Sequence, residues 1–323
     1  MKRYRTTVLT AACNGTLVPT EAELAGTDGR GFESGRQHAE QIARHRIEEW
    51  QRHRNESGSI RGKYPEPAAQ VDPISSSLPR GWHYTSIDQI AVVVRGASPR
   101  PAGDPKYFGG DIPWITVGSL TKDNAPYLRE VREFVTERGK AASRYIKPGT
   151  FLLTNSGATL GVPKISLIGG CINDGSVALL FLPDNLKLYL WIYLSSLTPT
   201  LRLINQGAAQ PNLNTTIVKS IGVPLPPLPE VYRIVAETER RLSIIDELSA
   251  AISAALNRAD RLRQSILQCA FSGQLVPQNP DEELASVLLE RIAAERTSAA
   301  PPRRKAVSWR TKATPAEVQR GLL

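Results

Sequence analysis

The sequence predicts a mixed α/β domain followed by a long, coiled-coil-forming α-helix, and three observations carry that expectation. The stretch Leu228–Phe271 has no glycine or proline after Glu230, and apolar or small residues recur along it at Val231, Val235, Thr238, Leu242, Ile245, Ser249, Ile252, Leu256 and Ala259. That alternation of four and three is the seam of a coiled coil, with Val235, Leu242, Ile245, Ile252 and Leu256 as its apolar knobs. Such a helix would be roughly 60 Å long, more than a globular domain needs, so a stripe this narrow asks for a partner helix. Ahead of it, residues 78–227 break into short apolar runs separated by Gly, Pro and Asn turns, the pattern of short strands mixed with helices. Third, the end of the long helix occurs twice. RYRTTVLTAACNGTLVP at residues 3–19 and RLRQSILQCAFSGQLVP at residues 261–277 run at a constant offset and share Arg, Arg, Leu, Ala, Gly, Leu, Val and Pro. Each copy closes on a glycine, Gly15 or Gly273, and then Leu-Val-Pro, which is a helix stop with a mechanism. One globular unit is thus bracketed by two copies of a helix end, which is no short-period solenoid.

Taken in order, residues 1–20 hold the first copy, with Met1 beginning inside it. Residues 21–77 read as a connector. Within it GTDGRGFESG at 26–35 reads as flexible, QHAEQIARHRIEEWQ at 37–51 as a short helix with Ile42, Ile47 and Trp50 in register, and 55–77 as a polar linker. The domain opens at Leu78, where TSIDQIAVVVRG gives a capped turn or a strand. A loop-rich stretch at 98–120 leads to a strand at 112–117, and 131–142 has the amphipathic spacing of a helix. Strands follow at 149–153 and within 171–182, the second after a turn at Asn173–Gly175, with a glycine-rich loop at 154–166 between them. A helix covers 186–196, with a further segment at 200–205. PLPPLPE at 224–230 stops the domain. The helical region runs over 228–297, and 298–323 is a basic tail expected to be disordered.

The chain has 323 residues and a formal charge of +9. Leu228–Phe271 balances six acids against six arginines, as a solvated or helix-pairing face does. Residues 79–227 hold fifteen Lys/Arg against nine Asp/Glu, and the tail adds Arg303, Arg304, Lys305, Arg310, Lys312 and Arg320 against Glu317. A basic domain attracts polyanions by counterion release. The three cysteines, Cys13, Cys171 and Cys269, are scattered without zinc-site spacing and read as reduced cytosolic thiols. No apolar run is long enough to span a membrane, and Thr interrupts the weak apolar N-terminal run, which argues against a signal peptide.

Catalysis finds little support. Gly157 and Gly161 are followed by Val162 and Pro163, so no GK[ST] phosphate loop exists. Pro-Asp pairs at 183–184 and 280–281 lack the following Glu-x-Lys of a Mg-dependent nuclease, and no methyltransferase cofactor loop occurs. His38, His45, His53 and His83 read as surface histidines. The expectation is a non-catalytic chain with no metal and no cofactor. DNA reading, by contrast, needs paired donors and acceptors for base edges and Lys, Ser or Thr for phosphates. The loops offer Lys106, Ser119 and Lys122, then Asn155, Ser156, Thr159 and Lys164 in and after the glycine loop; the last four and Lys122 are favoured for DNA contact. Asn205, Gln206, Gln210, Asn212 and Asn214 form an amide-rich run, and Trp114 in IPWI reads as core.

The bracketed layout, QPNLNTTIVKSIGVPLPPLPE at 210–230, LPRGWHYTSIDQIAVVVRG at 78–96 and LVPQNPDEELASVLLERI after the long helix resemble the specificity subunit of type I restriction–modification systems. That family usually carries two target-recognition domains and two helical regions. This chain resembles a half-length form: residues 1–20 as the remnant of a central helix, 78–227 as one target-recognition domain, and 228–297 as the C-terminal helical region for dimerisation and methyltransferase docking. The resemblance implies a cytoplasmic protein that reads half of a split double-stranded DNA target. It also implies methyltransferase and restriction subunits as partners, and a structural role for Gln210, Asn212 and Asn214. A homodimer, or pairing with a second half subunit, would restore two domains. The alternatives are an inert or complementing fragment, a stand-alone Mg-dependent endonuclease, or a coiled-coil protein whose basic domain binds something other than DNA.

Overall fold

The computed structural model describes residues 2–57, 63–68, 78–204, 212–277 and 279–298. The expected disordered tail after its first residue, Ser298, and Asn205, Gln206 and Gln210 lie outside them. The chain divides into two compact units, Met1–Ser253 and Ala254–Leu323, the division falling inside the long helix.

The first unit opens with three helices, α1 (Lys2–Cys13), α2 (Glu21–Asp28) and α3 (Gly35–Ser57). α2 forms within the expected connector, and its last three residues overlap the stretch at 26–35 expected to be flexible. A capping box starts it, Thr20 Oγ1 accepting from the Glu23 N–H while Glu23 accepts from the Thr20 N–H, and Gly29 ends it in the left-handed region at φ 64°. The domain then supplies β1 (His83–Ser86), α4 (Ile87–Ile90) and β2 (Val92–Arg95), so the capped turn and the strand both form from one stretch. β3 (Phe108–Ile115), α5 (Val117–Leu120), β4 (Tyr127–Leu128), β5 (Glu133–Val135), α6 (Glu137–Ala141) and β6 (Arg144–Ile146) follow. The helix expected over 131–142 is therefore replaced by a strand and one capped turn. Phe134 and Val135 suit a strand, and pairing of β5 with β3 overrides the helical spacing. Next come β7 (Phe151–Thr154), β8 (Pro163–Ser166), β9 (Gly170–Ile172) and β10 (Ser176–Leu180). α7 (Asp184–Ile204) is one helix rather than two segments, and it runs through Pro199. Two side chains tie this end to the glycine loop: Thr198 Oγ1 donates to Gly161 O (2.6 Å), and Arg202 Nε to Leu160 O (3.1 Å). α8 (Thr215–Ser220), capped by Asn214, and β11 (Gly222–Leu225) lead into α9 (Leu228–Phe271).

Two sheets build the domain. The five-stranded one has the order β2-β10-β7-β8-β4 and the four-stranded one β5-β3-β9-β6; β1 and β11 form a separate pair. β7 shows why they stack. Phe151 and Leu153 point into the larger core with α7, while Leu152 points into the core shared with Ile115, Ile146 and Ile172. Ala178 on β10 alternates with Val177 and Leu179 in the same way.

The larger core also takes in α1 and the first turns of α9: Val8, Leu9 and Ala12 pack with Leu190, Leu194, Val231, Ile234, Leu242 and Ile245. At their base lies a buried ionic cluster. Glu230 is fully buried and accepts from Trp82 Nε1–H and from the Glu21 N–H, both at 2.8 Å. The Glu21 carboxylate is paired with Arg30 (2.6 Å) and Arg233 (2.7 Å). Burial pushes the Glu230 carboxyl up. Burial acts the same way on Glu21, but its two guanidiniums outweigh it and hold that group below the ordinary range. Gly35 starts α3 so close to β11 that a β-carbon there would meet Leu225 O at 2.2 Å.

The second unit holds the rest of α9 and α10 (Ala285–Ser298). Along α9 the expected seam divides. Leu242 and Ile245 are buried and Val235 is half-buried, all against the larger core, whereas Ile252 and Leu256 are exposed. Among the described residues no helix is long and apolar enough to cross a membrane.

Candidate nucleic-acid interface

Four loops meet at one edge of the domain, and the turn at Asn173–Gly175 is their hub. The sequence makes this turn because Asn, Asp and Gly tolerate tight backbone geometry between β9 and β10. Asn173 N–H donates to Ile115 O (3.2 Å), which brings in the β3–α5 corner. Ser98 Oγ donates to Asp174 Oδ1 (2.6 Å) and Arg100 pairs with Oδ2 (3.3 Å), which brings in the loop after β2. Asn155 N–H donates to Gly175 O (2.9 Å), which brings in the glycine loop after β7. Leu213 N–H in turn donates to Asn155 O (2.7 Å), and Ser156 bridges to Asn212, so the amide run is stitched to the same edge.

Beside the hub is a groove of about 700 Å³, lined among others by Arg100, Phe108, Trp114, Arg132, Phe134 and Asn173. Trp114 forms its floor and is buried, edge-on to Phe108 at 6.0 Å. Arg100 and Arg132 are exposed, and Phe134 is partly so. Two guanidiniums, an amide and aromatic surface can hydrogen-bond base edges and pack on them.

Of the seven sequence-derived candidates, four lie on this edge or its loops. Lys106 is exposed on the loop that carries Ser98 and Arg100, with its ammonium 5.3 Å from the Tyr107 ring centre. Ser119 is half-buried, 3.3 Å from Thr116 Oγ1, and Ser156 sits against the hub. Thr159 is half-buried within the glycine loop, where its carbonyl accepts from Thr154 Oγ1 (2.7 Å). The other three are placed differently. Asn155 is fully buried, and what it offers the edge is its backbone. Lys164 is buried on β8; its ammonium is held by Asp123 and by Ala125 O, and it keeps the Asp123 carboxyl below the ordinary range. Lys122 is exposed and paired with Glu130 at 3.0 Å, outside the groove. Arg100, Arg132 and Asn173 escaped the sequence reading. The arginine-bearing loop SPRPAG and the turn were each visible, but only the fold brings them together.

Lys164 and Lys106 therefore separate cleanly. Lys164→Met is expected to cost about 1–2 kcal/mol of stability, because Ala125 O loses its donor, and to leave the salt dependence of DNA binding unchanged. Lys106→Ala is expected to leave the melting temperature unchanged and to lower the slope of log K against log salt by about 1. Thermal denaturation and fluorescence anisotropy across a salt series check both.

The model for the type I restriction modification DNA specificity domain matches residues 79–258, and the chain belongs to that family. Among curated relatives, the specificity subunit of the type I restriction enzyme EcoDI from Escherichia coli is 26% identical over 231 residues, covering 69% of this chain and 50% of that protein. The EcoAI specificity subunit of Escherichia coli is 23% identical over 349 residues, covering 92% of this chain and 56% of the relative. The chain thus spans about half the length of these two relatives. A chain of a solved type I restriction–modification assembly shares the fold at a TM-score of 0.50 and 22% identity, over 74% of this chain and 56% of that one.

Proposed function

We propose that residues 78–227 read one part of a split double-stranded DNA target through the edge built on Asn173–Gly175. Residues 228–297 carry that domain to a methyltransferase subunit and, with it, a restriction subunit. The convergence of four loops on that turn, next to a groove flanked by Arg100 and Arg132, is the observation that supports this most. Loops held by a rigid two-sheet scaffold can differ in sequence without unfolding the domain, which is what a reader of varied targets needs. The chain itself does no chemistry in this reading. Its role is delegated specificity in the cytoplasm, with the partner enzyme flipping and modifying a base. Exposed Ile252 and Leu256 leave the upper seam of α9 for a helix supplied in trans.

Co-expression of the chain with the methyltransferase subunit of a type I system, followed by genome-wide sequencing of methylated adenines, tests this. A discrete motif that appears only with the chain is expected. A chain that co-purifies with the methyltransferase while modification shows no motif would overturn the proposal.

A further inference from the structure

Asp123, Glu239 and Asp246 gather at one cleft of a chain whose formal charge is +9. The cleft holds about 490 Å³ and lies between α1, α7, the lower turns of α9 and the loop that joins α5 to β4. Helical spacing supplies its apolar wall: Leu188, Trp191 and Ile192 recur at three and four along α7, and Leu242 joins them from α9.

The polar groups of this cleft are incompletely used. Thr238 is fully buried on α9, one turn before Leu242, and its Oγ1 has no hydrogen-bond partner among the described residues. A buried hydroxyl left unpaired costs free energy, so its place on the wall of a cleft points to a donor that arrives from outside. Asp246 Oδ1 accepts from Arg5 (3.2 Å), and Asp123 Oδ1 accepts from Lys164 Nζ and from the Ala125 N–H (2.9 Å). The second oxygen of each carboxylate has no partner among the described residues, and Glu239, exposed at the rim, pairs with no cation among them. The loop also shows what its acceptors suit: the Lys164 ammonium, at the end of a buried alkyl chain, rests on the Asp123 carboxylate and the Ala125 carbonyl.

We propose that this cleft binds a linear polyamine. The terminal ammonium groups pair with Asp123 at one end and with Glu239 and Asp246 at the other, and the methylenes lie on Leu188, Ile192 and Leu242. A secondary ammonium in mid-chain donates to Thr238 Oγ1, and Trp191 adds aromatic surface that favours a cation. A compact metal ion suits the cleft less well. It needs several oxygens converging at about 2.0–2.6 Å, and among the described residues no group of three or more His, Cys, Asp or Glu is placed to hold one. Because Asp123 belongs to the domain and Thr238, Glu239 and Asp246 to α9, the ligand ties the two together.

Isothermal titration calorimetry of the full chain with spermidine, without DNA and at an ionic strength of about 0.15 M, tests this. The net positive charge opposes general binding of a polycation, so a saturable isotherm reports a local site. Such an isotherm is expected for spermidine and not for magnesium chloride at matched ionic strength. Thr238→Val keeps the shape of the side chain and removes its hydroxyl. It is expected to weaken spermidine binding about tenfold, because a hydrogen bond to a charged group is lost, and to leave the melting temperature of the free chain unchanged or higher. Glu239→Gln combined with Asp246→Asn is expected to weaken binding at least as much. No saturable binding by the wild type, equal binding of magnesium, or an affinity that survives both variants unchanged would overturn the proposal. A lower melting temperature for Thr238→Val would count against it too, since the hydroxyl would then be satisfied within the chain.

Discussion

Replacing Arg100 and Arg132 together by alanine is expected to weaken binding to the selected duplex by about 100-fold, because each guanidinium placed bidentate on a base edge contributes about 1–3 kcal/mol of discrimination. Binding to random duplex should fall far less, since the remaining basic residues of the domain still meet phosphates. Stability should barely change. The Arg100–Asp174 pair lies on the surface, with 71% of the arginine side chain exposed, and such pairs contribute little. Anisotropy titrations against selected and scrambled duplexes separate the two effects. Equal losses on both would reduce the arginines to phosphate contacts, and no loss on either would remove the groove from the reading surface.

Glu230→Gln is expected to lower the unfolding free energy by about 3 kcal/mol, because one of its two buried donors, Trp82 Nε1–H or the Glu21 N–H, would face an amide N–H₂ instead of an oxygen. The pH dependence has a definite sign. The folded-state pKa of Glu230 is raised by burial, so its contribution is fully present below the ordinary value of 4.5 and is lost as pH rises through the raised value. Urea denaturation should therefore show the largest gap between wild type and variant on the acid side, narrowing toward neutrality. Glu21 acts in the opposite sense: its folded pKa is lowered, so its contribution is present above 4.5 and is lost as pH falls through the lowered value. A gap that widened from pH 5 to pH 8 would mean that Glu230 is held as a carboxylate by Arg233 rather than pushed toward the neutral acid.

Much of this architecture was legible before any coordinates. The seam of α9 is a local pattern, and so is the doubled stop at Gly15 and Gly273. What the spacing could not say is which part of the seam is covered within the chain, since Leu242 and Ile245 are buried in a core built from distant segments of the chain, α1 and α7 among them, while Ile252 and Leu256 are exposed. The α2 cap was readable in Thr20 and Glu23, but the glycines around it pointed to a loop. Phe134 and Val135 looked helical in spacing and became a strand because β3 offered a partner. The candidate edge was the least legible part. Its defining contacts join Ser98 to Asp174 and Ile115 to Asn173, pairs that no local window contains. Lys164 misled for the same reason: a lysine behind a glycine loop reads as free, and its partner Asp123 lies 41 residues away.

The most direct measurement is selection of the purified chain against a fully randomised duplex library at low salt, run in parallel for wild type and for Arg132→Ala. Expected is one contiguous block of enriched base pairs for the wild type, degraded at one or two positions in the variant. A wild-type pool that binds without enrichment, or two pools enriched in the same block to the same degree, would contradict the assignment of DNA reading to the Asn173–Gly175 edge.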